Sequence, residues 1–227
     1  MPLLRDAVQD RRVPAFVIVM NRDIAGLLLK TKAVTFSAGK PFRWASGILS
    51  PVYTDNRVLL SYPVERRVVV DALVDEIMSE CPKFDAVAGV ATSGIPWASW
   101  VAEDVNKPLV YVRSRKKDHG KENIVEGRLQ KGKSVVLIED LVSTGGSSVA
   151  AVQAVRQAGA EISHCFAIFT YGLRESAQRF GEALCTLVPL TDFQTLVETA
   201  AETGYIGSAE RMKIAEWLED PKGWDYR

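Results

Sequence analysis

From residue 84 onward the chain alternates short, unbroken apolar runs with longer stretches in which apolar residues recur every three or four positions. The runs are FDAVAGV (84–90), PLVYVR (108–113), SVVLIED (134–140), ISHCFAIFTY (162–171) and LCTLVPL (184–190). Runs of this length with no polar alternation predict strands covered on both faces. The stretches between them, 95–105, 146–158 and 174–183, predict helices, the second closed by Gly159. Helices at 192–202 and 208–219 close the chain. Alternation of strands with helices, broken only by the polar stretch at 114–130, implies an α/β fold, a doubly wound, mainly parallel five-stranded sheet. Ligands of such sheets sit beyond the carboxyl ends of the strands.

The first third is less regular. Residues 22–33 predict a helix, and 34–60, rich in Gly, Pro, Ser and aromatics, predict short strands and turns. Ser61 and Pro63 open a helix through about residue 80, with proline in its first turn. The segment VPAFVIVM follows Arg5, Arg11 and Arg12, a faint outline of a signal peptide. The run is short, Asp6 and Asp10 stand before it, and no small-residue cleavage site follows. The favoured reading starts the working chain at Met20, with Asn21 or Asp23 capping the first helix and residues 1–19 an extension without a catalytic role.

Composition narrows the function. The 227 residues are 47% hydrophobic, enough for a large core, and 28 basic residues balance 28 acidic ones. That balance argues against a dedicated nucleic-acid binder. No apolar run approaches a membrane span. Cys81, Cys165 and Cys185 are odd in number, far apart and form no CxxC pair, which argues against a zinc site or a disulfide framework and fits a reducing cytoplasm.

Three loops follow the carboxyl ends of predicted strands and converge on one sheet edge. ATSGIP (91–96) carries Gly94, where backbone could approach an anion. RSRKKDHGKENIVEG (113–127) carries Arg113, Arg115, Lys116, Lys117, His119 and Lys121, with Gly120 and Gly127 suiting a segment that opens and closes. A solvated charge run, a nucleic-acid contact and a site for a polyanionic leaving group are all open for it. One histidine in such a loop can neutralise charge or act as an acid, whereas His164, inside an apolar run, reads as structural. The third loop, EDLVSTGG (139–146), sets two acids before small residues at a helix start. Backbone N–H groups there form a nest for a phosphate monoester. The acids would accept hydrogen bonds from two vicinal hydroxyls nearby, so a ribose 5-phosphate satisfies both halves. The plain alternative is an acid cap on a tight turn.

Together, VVLIEDLVSTGGSS (135–148), FRWASGILSPVYTDNR (42–57) and RKKDHGKENIVEG (115–127) resemble the type I phosphoribosyltransferases, in particular their orotate branch, over residues 21–205. The resemblance implies an N-terminal hood (20–60) over the base site, a core at 61–205 and a C-terminal helix and tail at 206–227. It implies that Glu139 and Asp140 hold the ribose hydroxyls, and that Leu141, Val142, Ser143, Thr144, Gly145, Gly146 and Ser147 surround the 5-phosphate. Ser143 would also contact orotate; Arg113, Lys117 and His119 would bind the diphosphate, and Lys117, His119 and Asp140 would serve catalysis. Ala45 and Ser93 stand where some members carry lysine, which leaves Arg57 and Lys32 as candidates for the orotate carboxylate.

The resemblance implies Mg²⁺-dependent transfer from 5-phosphoribosyl 1-diphosphate to orotate by a cytoplasmic homodimer that shares its basic loop between subunits. Neither nucleic acid nor membrane is an expected partner, and no side chain is assigned as a direct metal ligand. A purine phosphoribosyltransferase would share the third loop but not the hood. A non-enzymatic regulator on this fold would need a DNA-binding region, for which residues 1–20 are too short.

Overall fold

Helix α1 (Asn21–Lys30) opens the described chain. The computed structural model describes residues 21–37, 40–44, 47–113 and 124–225, so the extension at 1–19 lies outside it. The first helix stops earlier than the sequence suggests. Lys32 turns to the left-handed region (φ 58°), and Ala33 N–H reaches back to the Leu28 carbonyl at 3.0 Å, directing the chain into a strand. The segment that follows forms two small antiparallel pairs. Strand β1 (Val34–Phe36), β2 (Phe42–Arg43), β3 (Leu49–Ser50) and β4 (Val52–Thr54) pair as β1 with β4 and β2 with β3. Asp55 then caps a 3-10 helix (Asn56–Ser61), and Pro63 starts α2 (Pro63–Glu80).

The main sheet contains the five predicted strands: β5 (Ala86–Val90), β6 (Leu109–Val112), β8 (Ser134–Val142), β9 (Glu161–Thr170) and β10 (Thr186–Asp192), all mutually parallel. A sixth, two-residue strand, β7 (Val125–Glu126), adds an antiparallel edge to β6. The order is β10–β9–β8–β5–β6–β7. The helices α3 (Gly94–Asp104), α4 (Gly146–Gln157), α5 (Arg174–Glu182), α6 (Phe193–Glu202) and α7 (Ser208–Glu219) complete the α/β alternation.

Side-chain alternation along each strand splits the core into two layers. Val136 and Ile138 of β8, with Phe166 and Ile168 of β9, join a layer containing α1, α2, α3, α6 and α7. Val135 and Leu137, with Cys165 and Ala167, join a layer under α4 and α5.

Strand β8 runs two residues beyond the predicted end. Leu141 and Val142 stay in the ladder because the longer β9 supplies partners, Phe169 and Thr170. The acid pair, expected as the last two residues of the strand, therefore sits two residues inside its end. Period-2 alternation turns Glu139 towards α4 and Asp140 towards the hood. The neighbouring β5–α3 turn is pressed against the same strand. A Cβ on Gly94 would lie 2.6 Å from the Ile138 carbonyl oxygen, so only glycine allows α3 to start this close to β8.

Candidate active site

A cleft of about 410 Å³ opens beyond the carboxyl ends of β5 and β8. Its floor is Glu139, Asp140 and Leu141; one side is the β5–α3 turn, Ala91–Ser93; the other is the hood, from Trp44 and Tyr53 to Arg57. Ser143, Ser147 and Tyr171 complete the lining. A larger cavity of about 770 Å³ lies over the ends of β9 and β10 beside the C-terminal tail and shares only Tyr171 with this wall. It holds neither Glu139 nor Asp140 and none of residues 143–147, so the smaller cleft is the candidate active site.

The two acids are held by few groups. Glu139 is 5% exposed and Asp140 9%. Glu139 Oε1 accepts from the Asp140 backbone N–H and Oε2 from Ser148 Oγ, both at 3.2 Å. Burial first, then the adjacent Asp140 charge, pushes the Glu139 carboxyl well above the usual carboxylate range. Burial also raises Asp140, against the opposing hydrogen bond from Glu139 and the backbone N–H groups of Asp140 and Leu141. Neither acid forms an ion pair among the described residues. Two buried carboxylates with so little compensation are costly at neutral pH and ready to accept hydroxyl donors or a cation.

The hood is fastened to this floor by side chains far away in sequence. Asn56, 1% exposed, donates from Nδ2 to the Asp140 carbonyl at 2.6 Å, while its Oδ1 is buried without a partner. Tyr171 Oη donates to Thr54 Oγ1 at 3.0 Å, and Trp44 packs on Tyr171 with ring centroids 4.4 Å apart. Arg57 is held by Asp55 through Nε to Oδ1 at 2.6 Å and Nη2 to Oδ2 at 2.8 Å.

The loop after β8 leaves backbone donors free at a helix start. Gly145 is the N-cap of α4, with φ 77°, and no side chain caps the helix. The first N–H groups of α4 have no intrahelical acceptors, and the helix dipole adds positive potential. The acids do not cap the helix; they stand in β8, five residues or more before the Gly145 N-cap.

The structure brings together Glu139, Asp140, Leu141, Ser143 and Ser147 around the cleft. Val142 is buried in the ladder, its carbonyl accepting from Tyr171 N–H at 3.0 Å. Thr144 lines an adjoining cleft with Arg43 and Arg179. Gly146 packs beneath Arg179, whose Nη1 would stand 2.6 Å from an added Cβ. Arg113 follows β6 at the same sheet edge, outside the lining residues, and faces Glu126 at 3.6 Å. Lys117 and His119 lie outside the described residues. His164 is remote from the cleft, with Nδ1 2.8 Å from Ser163 Oγ. Lys32, in the turn after α1, is not among the lining residues; Arg57 is. Asn56, Tyr171 and Ser148 were not singled out from the sequence. Ser148 and Asn56 lie within the quoted motifs at 135–148 and 42–57, whereas Tyr171 carried no local signal.

A family model described as "Phosphoribosyl transferase domain" matches residues 64–195. Orotate phosphoribosyltransferase from Coxiella burnetii is 45% identical over 202 residues, which is 89% of this chain and 97% of that protein. The enzyme of that name from Bacillus caldolyticus is also 45% identical, over 90% of this chain and 99% of its own. The chain belongs to the orotate phosphoribosyltransferase family.

The solved structures agree with membership in that family. The crystal structure of orotate phosphoribosyltransferase from Aeropyrum pernix superposes with a TM-score of 0.71 at 32% identity, covering 81% of this chain and 99% of that one. That likeness extends to the α/β architecture with its mainly parallel central sheet. No helix among the described residues is long and apolar enough to cross a membrane.

Proposed function

We propose that the chain transfers ribose 5-phosphate from 5-phosphoribosyl 1-diphosphate to orotate, releasing diphosphate and forming orotidine 5-monophosphate, a step in pyrimidine nucleotide synthesis. The observation that carries this reading is the junction of β8 and α4. Two buried acids and the start of an uncapped, glycine-started helix, five residues further along the chain, flank one junction, which suits a sugar with vicinal hydroxyls and a terminal phosphate.

In this reading Glu139 and Asp140 accept the ribose hydroxyls and orient the anomeric carbon. Ser143, Ser147 and the first N–H groups of α4 hold the 5-phosphate. The bond from the anomeric carbon to diphosphate breaks ahead of bond formation to the base nitrogen, so positive charge develops on the sugar beside the buried acids, and the proton on that nitrogen passes to the departing diphosphate or to water. Arg113, Lys117 and His119 neutralise the departing diphosphate. Closure of the basic loop keeps water from capturing the sugar cation.

Mg²⁺ fits the site. The acid pair offers two hard carboxylates without a described cationic partner. No group of three or more His, Cys, Asp or Glu side chains converges among the described residues, so further ligands would be substrate oxygens. When bound, the ion would withdraw charge from the diphosphate oxygens. The homodimer, with each basic loop serving the neighbouring site, is supported by the family resemblance. A cytoplasmic setting is supported by three free cysteines, Cys81, Cys165 and Cys185.

Diphosphate release from 5-phosphoribosyl 1-diphosphate, measured with orotate, uracil, adenine or guanine and Mg²⁺, tests the proposal. Orotate alone should support turnover. Equal or faster turnover with a purine overturns it.

A further inference from the structure

We infer that Arg57, steered by Asp55, binds the carboxylate of the pyrimidine base and makes the cleft select an anionic base over a neutral one. The inference rests on the orotate reading above and names the group that reads the base.

Charge comes first. Among the described residues lining the cleft, Asp55, Glu139 and Asp140 are acidic and Arg57 is the only Lys or Arg. An anionic base entering such a cleft meets net repulsion unless one group compensates it locally. The wall beside Arg57 is aromatic, formed by Trp44, Tyr53 and Tyr171. A planar ring can lie on such a wall while a carboxylate at its edge reaches a guanidinium.

The fork geometry identifies what Arg57 is free to do. Asp55 occupies one edge, Nε and Nη2. The Nη1 side has no hydrogen-bond partner among the described residues, and the side chain is 59% exposed. A guanidinium presents five donors in one plane, so one carboxylate on the Nε edge leaves the opposite edge open for a second. Asp55 is itself anchored. It caps the 3-10 helix by accepting from the Arg57 backbone N–H at 3.1 Å, and the next residue, Asn56, bonds Asp140 at the floor. Asp55-Asn56-Arg57 thus forms one rigid element. Asn56 fixes it to the acid that holds the sugar, Asp55 sets the direction of the guanidinium, and Arg57 receives the base. Asp55 is a positioning residue in this scheme and Arg57 a binding residue.

Three variants of the full chain test the scheme. Arg57→Gln should raise the orotate KM by about tenfold to a hundredfold, the range for loss of a charged hydrogen-bond pair. It should leave the KM for 5-phosphoribosyl 1-diphosphate within about threefold. Arg57→Lys should fall between Gln and wild type, because charge remains but the fork is lost. Asp55→Asn, which keeps the cap oxygen but loses the charge that aims the fork, should raise the orotate KM by about threefold to tenfold at unchanged kcat. The rise of melting temperature on adding orotate should disappear in Arg57→Gln. A rise in the 5-phosphoribosyl 1-diphosphate KM instead would assign Arg57 to the diphosphate and overturn the inference. So would an unchanged orotate KM in a folded Arg57→Gln. A wild type that turns over a base other than orotate counts against the functional reading. A wild type that binds orotate through Arg57 without turnover keeps this inference and sinks only that reading. A wild type that neither turns over orotate nor gains melting temperature from it overturns both.

Discussion

Replacing Glu139 with glutamine should stabilise the free protein while damaging its activity. Glu139 is 5% exposed, receives two hydrogen bonds at 3.2 Å and stands next to a second buried acid. Glutamine keeps the shape and one acceptor oxygen and removes the buried charge. An imperfectly satisfied buried polar group costs about 1–3 kcal/mol, more when charged. In a chain of this length each kcal/mol moves Tm by roughly 2–4 °C, so Glu139→Gln should gain about 2–12 °C at pH 8. The pH dependence follows from linkage. The carboxyl's pKa is raised in the folded state above its ordinary 4.5, so its contribution to stability is fully present below 4.5 and fades as pH rises through the raised value. The advantage of the variant should therefore be small near pH 4.5 and grow towards pH 8. Activity should fall about tenfold to a hundredfold, one charged hydrogen bond to the sugar being lost. Calorimetry at pH 5 and pH 8, with initial rates at pH 8, measures all three quantities. A Tm gain of the same size at both pH values would refute the argument, because the buried charge would then not be its source. A Tm loss at pH 8 would do the same.

Gly94→Ala should lower Tm by about 2–12 °C, since a Cβ 2.6 Å from the Ile138 carbonyl forces α3 away from β8, an overpacking cost of about 1–3 kcal/mol. Gly26→Ala, inside α1 with nothing within 4 Å of the added Cβ, should raise Tm by about 2–4 °C as the control; equal shifts would remove the steric explanation. For the proposed dimer, Lys117→Ala and Asp140→Asn should each be nearly inactive alone and regain up to about a quarter of wild-type activity after subunit exchange, one mixed site receiving neither lesion. No recovery, with exchange confirmed by native mass spectrometry, would show that each basic loop serves its own subunit.

The sequence alone determined whatever depends on local order. The five core strands are legible because burial on both faces leaves a continuous apolar run, and the α4 start is legible because Ser143–Ser147 are consecutive and small. The acid pair is legible for the same reason. Tertiary structure decided everything that needs a distant partner. Leu141 and Val142 read as loop until β9 offers them Phe169 and Thr170, and Val125–Glu126 is too short to read as a strand without β6 beside it. The cleft closes only because Asn56 crosses 84 positions to Asp140 and Tyr171 crosses 117 to Thr54. Hydrogen bonds of that reach leave no periodicity in the chain; they exist only once the hood and the sheet occupy the same space. The choice of Arg57 over Lys32 has the same origin. Both are exposed cations in the first third, and only the fold brings one of them to the edge of the cleft.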